Sequence, residues 1–207
     1  KNMPKDKTAS HIRVMTAMRE EFIEKGFENA SVRNIAAKAG MSAAGLYRHY
    51  KNKEDMFDAL MQPLMEELKE WLDHHRSTKY NMVDQGGADK NTLFGESFID
   101  LVKDVLYPHR EEFCLLIHGA GGTKYENFVH NFVEEQQDDM MKAFAYMKDH
   151  GYHVKVPTRE ELHMLLSAYT TAVFEPIIDG YSQEKMEHCL DTLSRFFMPG
   201  WMDIMGL

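Results

Sequence analysis

Cysteine is scarce in this chain. Cys114 and Cys189 are the only two in 207 residues, and no Cys-x-x-Cys pair occurs. This excludes a disulfide scaffold and a thiolate zinc site, and it predicts a reducing compartment, the cytoplasm. No apolar run approaches the roughly 20 residues of a membrane span, so no membrane partner is expected. The opening residues, 1–13, are polar and charged rather than leader-like. Strand-like alternation is also lacking. Helical spacing of apolar residues recurs along the whole chain, so the expected fold class is all-α.

Chemical constellations are equally thin. The glycine cluster Gly119-Ala120-Gly121-Gly122 lacks the Gly-Lys-Ser/Thr of a phosphate loop and reads as a turn. No serine-nucleophile motif appears, and Asp138-Asp139 falls on a solvated helix face. Eleven histidines keep a helical metal protein or enzyme in view as the alternative. His74 and His75 are adjacent, so they diverge around a helix. Glu160-Glu161-Leu162-His163 is not the two-histidine zincin pattern. Cys114 and His118 are four apart and could share a metal, but a buried thiol beside a polar tip explains them as well. The expectation is no enzyme, no metal and no cofactor. Asn29-Ala30-Ser31 matches a glycosylation sequon but carries no meaning in a cytoplasmic helix cap.

What is present is unevenly placed. The formal charge is −9, yet residues 1–53 hold eleven Lys/Arg against five Asp/Glu, and the remainder holds thirteen against twenty-eight. A basic head of +6 on an acidic body of −15 suggests a nucleic-acid face whose body is repelled by the same polyanion. The expected division is residues 1–53 and 54–207.

Residues 31–53 give that head its plan. Ser31 is a good N-cap, and Val32, Ile35, Ala36 and Ala39 form one apolar stripe. Gly40 supplies the positive φ that ends a helix cheaply. Met41 plugs the core, and Ser42 caps a second helix over 42–50. Its first residues, Ala43, Ala44 and Gly45, are small enough to let a helix start approach DNA closely. Leu46 and Tyr50 face inward, leaving Tyr47, Arg48 and His49 outward. Two short helices joined by a glycine turn are a helix-turn-helix, which reads the major groove with its second helix.

The order and spacing of Gly26-Phe27, Ser31-Val32, Ile35-Ala36, Ala39-Gly40-Met41-Ser42, Leu46-Tyr47-Arg48-His49-Tyr50 and Lys53 to Phe57 resemble the N-terminal domain of TetR-family regulators. The resemblance covers about residues 8 to 60. It implies a homodimeric, ligand-responsive repressor: an N-terminal three-helix helix-turn-helix domain plus a C-terminal helical ligand-binding and dimerisation bundle. Carried onto matching positions, it makes Ser31, Ser42, Tyr47 and Lys53 candidate phosphate contacts, which set register on DNA. Arg33, Ala43, Ala44, Gly45, Arg48 and His49 become candidate base-edge or nearby backbone contacts. Because Ala43-Ala44-Gly45 offers no side-chain hydrogen bond, specificity must come from Arg33, Arg48, His49, methyl contacts or DNA shape. The implied partners are a pseudo-palindromic double-stranded operator, a second copy joined through the two C-terminal helices, and a small-molecule effector of unknown identity.

The body carries sixteen methionines and many aromatic residues. Such side chains suit an adaptable apolar pocket, though most belong to the core. Phe98, Leu101, Val102, Phe113, Tyr125, Phe128, Phe132 and Tyr169 are the candidate ligand residues. Glu66, Asp100, Asp104 and Glu134 could draw a cationic hydrophobic ligand, or simply lie on solvated faces.

Element by element, a first helix is expected over 8–25, ended by Gly26. Asn52 caps a fourth that runs to about His75, with Pro63 kinking it as a hinge or as plain curvature around the core. Residues 77–92 read as a loop. Further helices are expected over 93–106, 111–118, 123–150, 158–178 (opened by the capping box Thr158 to Glu161) and 182–197.

Overall fold

The computed structural model describes residues 7–86 and 97–206, and every regular element among them is helical. These are α1 (Lys7–Asn29), α2 (Val32–Lys38), α3 (Ala43–Leu46), α4 (Lys53–Asp84), α5 (Ser97–Leu101) running into a π-helical turn (Val102–Leu106), α6 (Arg110–His118), α7 (Phe128–Asp149), α8 (Arg159–Ile178) and α9 (Gln183–Met205). The all-α expectation holds. The chain divides into two compact units. The first contains residues up to 66 together with 111–128, and the second contains 67–110 and 129–207. Helix α4 supplies residues to both.

In the first unit the core is built on the apolar stripe of α1. Met18 and Phe22 are fully buried with Ile35 of α2, Leu46 of α3 and Met56 and Phe57 of α4. Phe22 and Phe57 meet edge to face at 5.2 Å, and Phe27 meets Phe57 at 5.4 Å. Such ring pairs contribute on the order of 1 kcal/mol beyond area burial. Segment 111–128 closes this core. Phe113 is fully buried, Tyr125 lies 6.1 Å from Phe57, and Arg19 of α1 pairs with the buried carboxylate of Glu112.

The first helix does end its regular course at Gly26, where φ is 68° and ψ 172°, and a short helical turn follows to Asn29. The glycine cluster, read from the sequence only as a turn, meets this point. The Phe27 N–H donates to the Gly119 carbonyl at 2.7 Å. A Cβ on Gly119 would lie 2.5 Å from Leu115 Cδ1 and 3.3 Å from Gly26 Cα. Space is tight only at Gly119; at Gly26 a Cβ would make ordinary contact at 3.5 Å, and it is the left-handed φ that favours glycine there. Gly119→Ala is therefore expected to lower stability by about 1–3 kcal/mol through overpacking. The urea midpoint of unfolding measures this, and an unshifted midpoint would contradict it.

In the second unit Phe144, Met147, Leu162, Leu166, Trp201 and Met205 share one core with Val83. The capping box at the start of α8 forms in full, with Thr158 Oγ1 accepting from Glu161 N–H and Glu161 accepting from Thr158 N–H at 2.8 Å. Ser182 caps α9, which extends past the expected end at 197 to Met205 and stops at Gly206 in the left-handed region. Helix α7 starts at Phe128 rather than 123.

The largest correction concerns residues 77–84, expected to be loop and found to be the last two turns of α4. Local composition is polar there, but tertiary packing overrides it. Tyr80 meets Tyr146 edge to face at 4.7 Å, Val83 is buried, and the Tyr152 hydroxyl donates to the Val83 carbonyl. Gln85 and Gly86 do form a turn, and the rest of that expected loop, 87–92, with the start of the next expected helix, 93–96, lies outside the described residues. Pro63 sits inside α4, which continues through it.

Candidate nucleic-acid interface and effector cavity

The helix-turn-helix is assembled by caps. Ser31 Oγ accepts from Asn34 N–H, and Ser42 Oγ accepts from Gly45 N–H at 3.1 Å. Between the two helices, Gly40 takes φ 69°. The Gly40 N–H donates to Ala37 O, and the Met41 N–H donates to Ala36 O. This pair of bonds is a Schellman motif, which satisfies carbonyls that would otherwise end α2 unpaired. Helix α3 is short, and the amides of residues 47–50 bond back to Ala43, Gly45 and Leu46, prolonging it as turns. Asn52 Oδ1 accepts from Asp55 N–H at 2.7 Å and so caps α4.

A group that the sequence reading missed holds this assembly in place. Glu21 of α1 is only 2 % exposed. Its carboxylate accepts from Ser31 N–H and Asn34 Nδ2, both at 3.1 Å, and lies 3.2 Å from Lys38 Nζ. Burial acts to raise its pKa, but these donors together outweigh that and hold it below its ordinary value. One buried anion thus serves the start and the end of α2. The available signal was positional: Glu21 follows Val14 and Met18 at i+7 and i+3, on the buried face of α1.

The predicted contact residues separate on this scaffold. Arg33, Ser42, Ala44, Tyr47, Arg48 and His49 are exposed, with Ser31 and Ala43 half-buried. Tyr47 keeps 49 % of its surface open, unusual for a large ring. Gly45 is buried, and a Cβ there would meet Ser42 Oγ at 3.3 Å. Its smallness serves the cap rather than offering a surface. Lys53, expected to reach phosphate, turns inward. Its ammonium donates to Glu28 O at 2.9 Å and Ala30 O at 3.3 Å and lies over the Phe27 ring. It ties α4 to the turn that precedes α2.

The second unit holds a cavity of about 70 Å³ between α4, α5 and α7. Of the expected ligand residues, Phe98 and Leu101 line it. Phe132 and Tyr169 stand behind Phe98, with ring centroids 5.9 and 5.4 Å away. Val102 is buried without reaching the cavity. Phe113, Tyr125 and Phe128 belong instead to the first unit, where Phe113 meets Phe128 at 6.4 Å. None of Glu66, Asp100, Asp104 and Glu134 lines the cavity; Glu134 pairs with His163 at 3.1 Å.

Sequence reading did not find the polar lining, because it took α4 to stop near His75. His75 stacks on Trp71 at 4.8 Å. Burial, with help from Lys79 and His74, pushes its pKa down to about 4. Burial likewise pushes Lys79 down to about 8, against the pull of Asp139. Arg76 donates through Nε to Asp139 at 2.8 Å and again through Nη2. No cluster of three His, Cys, Asp or Glu suited to a metal exists among the described residues. Nor is any described helix long and apolar enough to cross a membrane.

Comparison with known proteins places this geometry. Residues 14–60 match the family model of bacterial regulatory proteins, tetR family. The HTH-type transcriptional regulator SAUSA300_2515 of Staphylococcus aureus strain USA300 is 31% identical over 172 residues, covering 83% of this chain and 84% of the relative. Among solved structures, NalD, the secondary repressor of the MexAB-OprM multidrug efflux pump in Pseudomonas aeruginosa, superposes with a TM-score of 0.54 at 19% identity, over 92% of this chain and 96% of NalD. AibR, solved in complex with isovaleryl coenzyme A and operator DNA, gives 0.54 at 18% identity, over 92% and 98%.

Proposed function

This chain belongs to the TetR family of bacterial regulatory proteins and is a DNA-binding transcriptional regulator; from that premise we propose that it is a repressor, released from its operator by a small, largely apolar effector. The observation that carries the reading is the exposed row Tyr47, Arg48 and His49, held outward by the buried Leu46 and the Ser42 cap. Arg48 and Arg33 read base edges, and Tyr47, Ser31 and Ser42 position the backbone. The basic charge of residues 1–53 supplies the salt-dependent part of the affinity.

The functional division proposed is a DNA-binding head over residues 1–53 and an effector-binding, dimerising body over 54–207. Two copies pair through α8 and α9, which leave Met164 62 % and Phe196 76 % exposed. Pairing would set two recognition helices about 34 Å apart, one per half-site of a pseudo-palindrome. Effector in the cavity of the second unit favours a dimer whose spacing no longer matches successive grooves, which requires tighter binding to that state. The protein works in the cytoplasm, beside the DNA, and the reading includes no catalytic step. NalD is described as a secondary repressor, and AibR is solved in complex with isovaleryl coenzyme A and operator DNA, which supports a DNA-binding and ligand-binding pair of roles here.

Fluorescence anisotropy on the DNA upstream of the protein's own gene, against scrambled DNA at several salt concentrations, tests this. Saturable, tighter binding to the native fragment is expected. Equal binding to both would leave only the nonspecific electrostatic term, and no binding at low salt would overturn the reading.

A further inference from the structure

The polar groups of the cavity differ in what they still have to give. Asp139, the carboxylate in its lining, is engaged: Arg76 clamps it with two donors, and Lys142 lies 3.7 Å from its other oxygen. The donors are not all engaged. His75 Nε2, which donates in the Nε2–H tautomer of the neutral ring, and Gln136 Nε2 are buried without a hydrogen-bond partner, an unfavourable state for a buried polar group. Lys79 lines the same space with its ammonium poorly solvated. Around these groups stand Trp71, Phe98 and Met140. An apolar chamber with unspent donors and a neutralised carboxylate is matched to an acceptor, not to a cation.

We propose that this cavity takes a small organic carboxylate, its short apolar tail against Trp71, Phe98 and Met140 and its carboxylate accepting from Lys79, His75 Nε2 and Gln136 Nε2. This specifies the chemistry of the effector and rests on the reading of the second unit as the effector-binding one. It reverses the cationic ligand that the acidic residues of the sequence suggested, since none of those residues lines the cavity. A carboxylate offers these donors, which line one cavity, a charged acceptor, and charge-assisted bonds in a water-poor site are the strong ones.

The test is isothermal titration of the full-length protein, without DNA, by three probes of one chain length: hexanoate, hexanamide and hexylammonium. Hexanoate should bind saturably and at least tenfold more tightly than hexylammonium, with hexanamide between. Lys79→Met should weaken hexanoate about tenfold and leave hexylammonium no weaker. Gln136→Leu, a substitution at a half-buried position, should weaken hexanoate severalfold and provides the check if the lysine variant does not fold. Hexylammonium binding as well as hexanoate, no saturable hexanoate binding, or hexanoate binding untouched by the folded variants would each overturn the proposal. Adding hexanoate to the operator assay separates the two ideas. Selective binding with unchanged operator affinity would keep the ligand class and remove effector release.

Discussion

Glu21→Ala is expected to destabilise the first unit by about 2–4 kcal/mol, and operator affinity should fall with it. The carboxylate answers three donors from α2 and its cap: Ser31 N–H, Asn34 Nδ2 and Lys38 Nζ. Hydrogen bonds to a charged group contribute about 1.5–3 kcal/mol each, and a donor left buried without a partner adds a penalty. The sum is discounted because Lys38 and Asn34 can turn to water. The recognition helix depends on this arrangement, since α3 packs on α2. The effect also has a pH signature. Folding holds the Glu21 pKa below its ordinary 4.5, so its stabilising contribution is fully present above that value. It is lost as pH falls through the lower, folded-state value. Denaturant unfolding of parent and variant should show a gap that is constant near neutrality and narrows in acid. A gap that widened in acid would mean that the carboxylate is not the stabilising form.

Arg48→Ala should leave stability unchanged and weaken operator binding by about 1–3 kcal/mol, roughly 5- to 150-fold. The guanidinium is exposed on the turn that prolongs α3, so its removal uncovers no core. If Arg48 reads a guanine edge, the loss will be confined to one operator position and disappear when that base pair is changed. Tyr47→Ala should behave differently, weakening all duplexes alike, because a phosphate contact carries no sequence information. Anisotropy titrations against an operator mutated one base pair at a time distinguish the two. Equal losses on every duplex for Arg48→Ala would reassign it to the backbone.

The head is largely legible in its residues alone. Ser31, Gly40, Ser42 and Asn52 act where their cap and turn chemistry put them, because local rules act within a few residues. Lys53 was not legible in the same way. A lysine at a helix start beside DNA-facing residues looks like a phosphate ligand, and only the fold brings the Glu28 and Ala30 carbonyls within its reach. The end of α4 was lost for a related reason: residues 77–84 look polar in isolation, and their helix is secured by Tyr146 and Tyr152, over sixty residues downstream. The polar half of the cavity went with it. Phe113, Tyr125 and Phe128 show the complementary error, since aromatic content marks burial without saying in which core.

The meeting of Gly26 with Gly119 sets a rule for how this protein can vary. The bond across it runs between two stretches of main chain, so no exchange short of a proline at position 27, which would remove the N–H, abolishes it directly. Side chains can only pry the two strands of backbone apart. Related sequences should therefore drift freely around these two positions while Gly119 stays bare for want of room and Gly26 for its left-handed backbone, and bulk acquired at Gly119 must be met by movement of Leu115 or of the Gly26 backbone before the joint can stay closed.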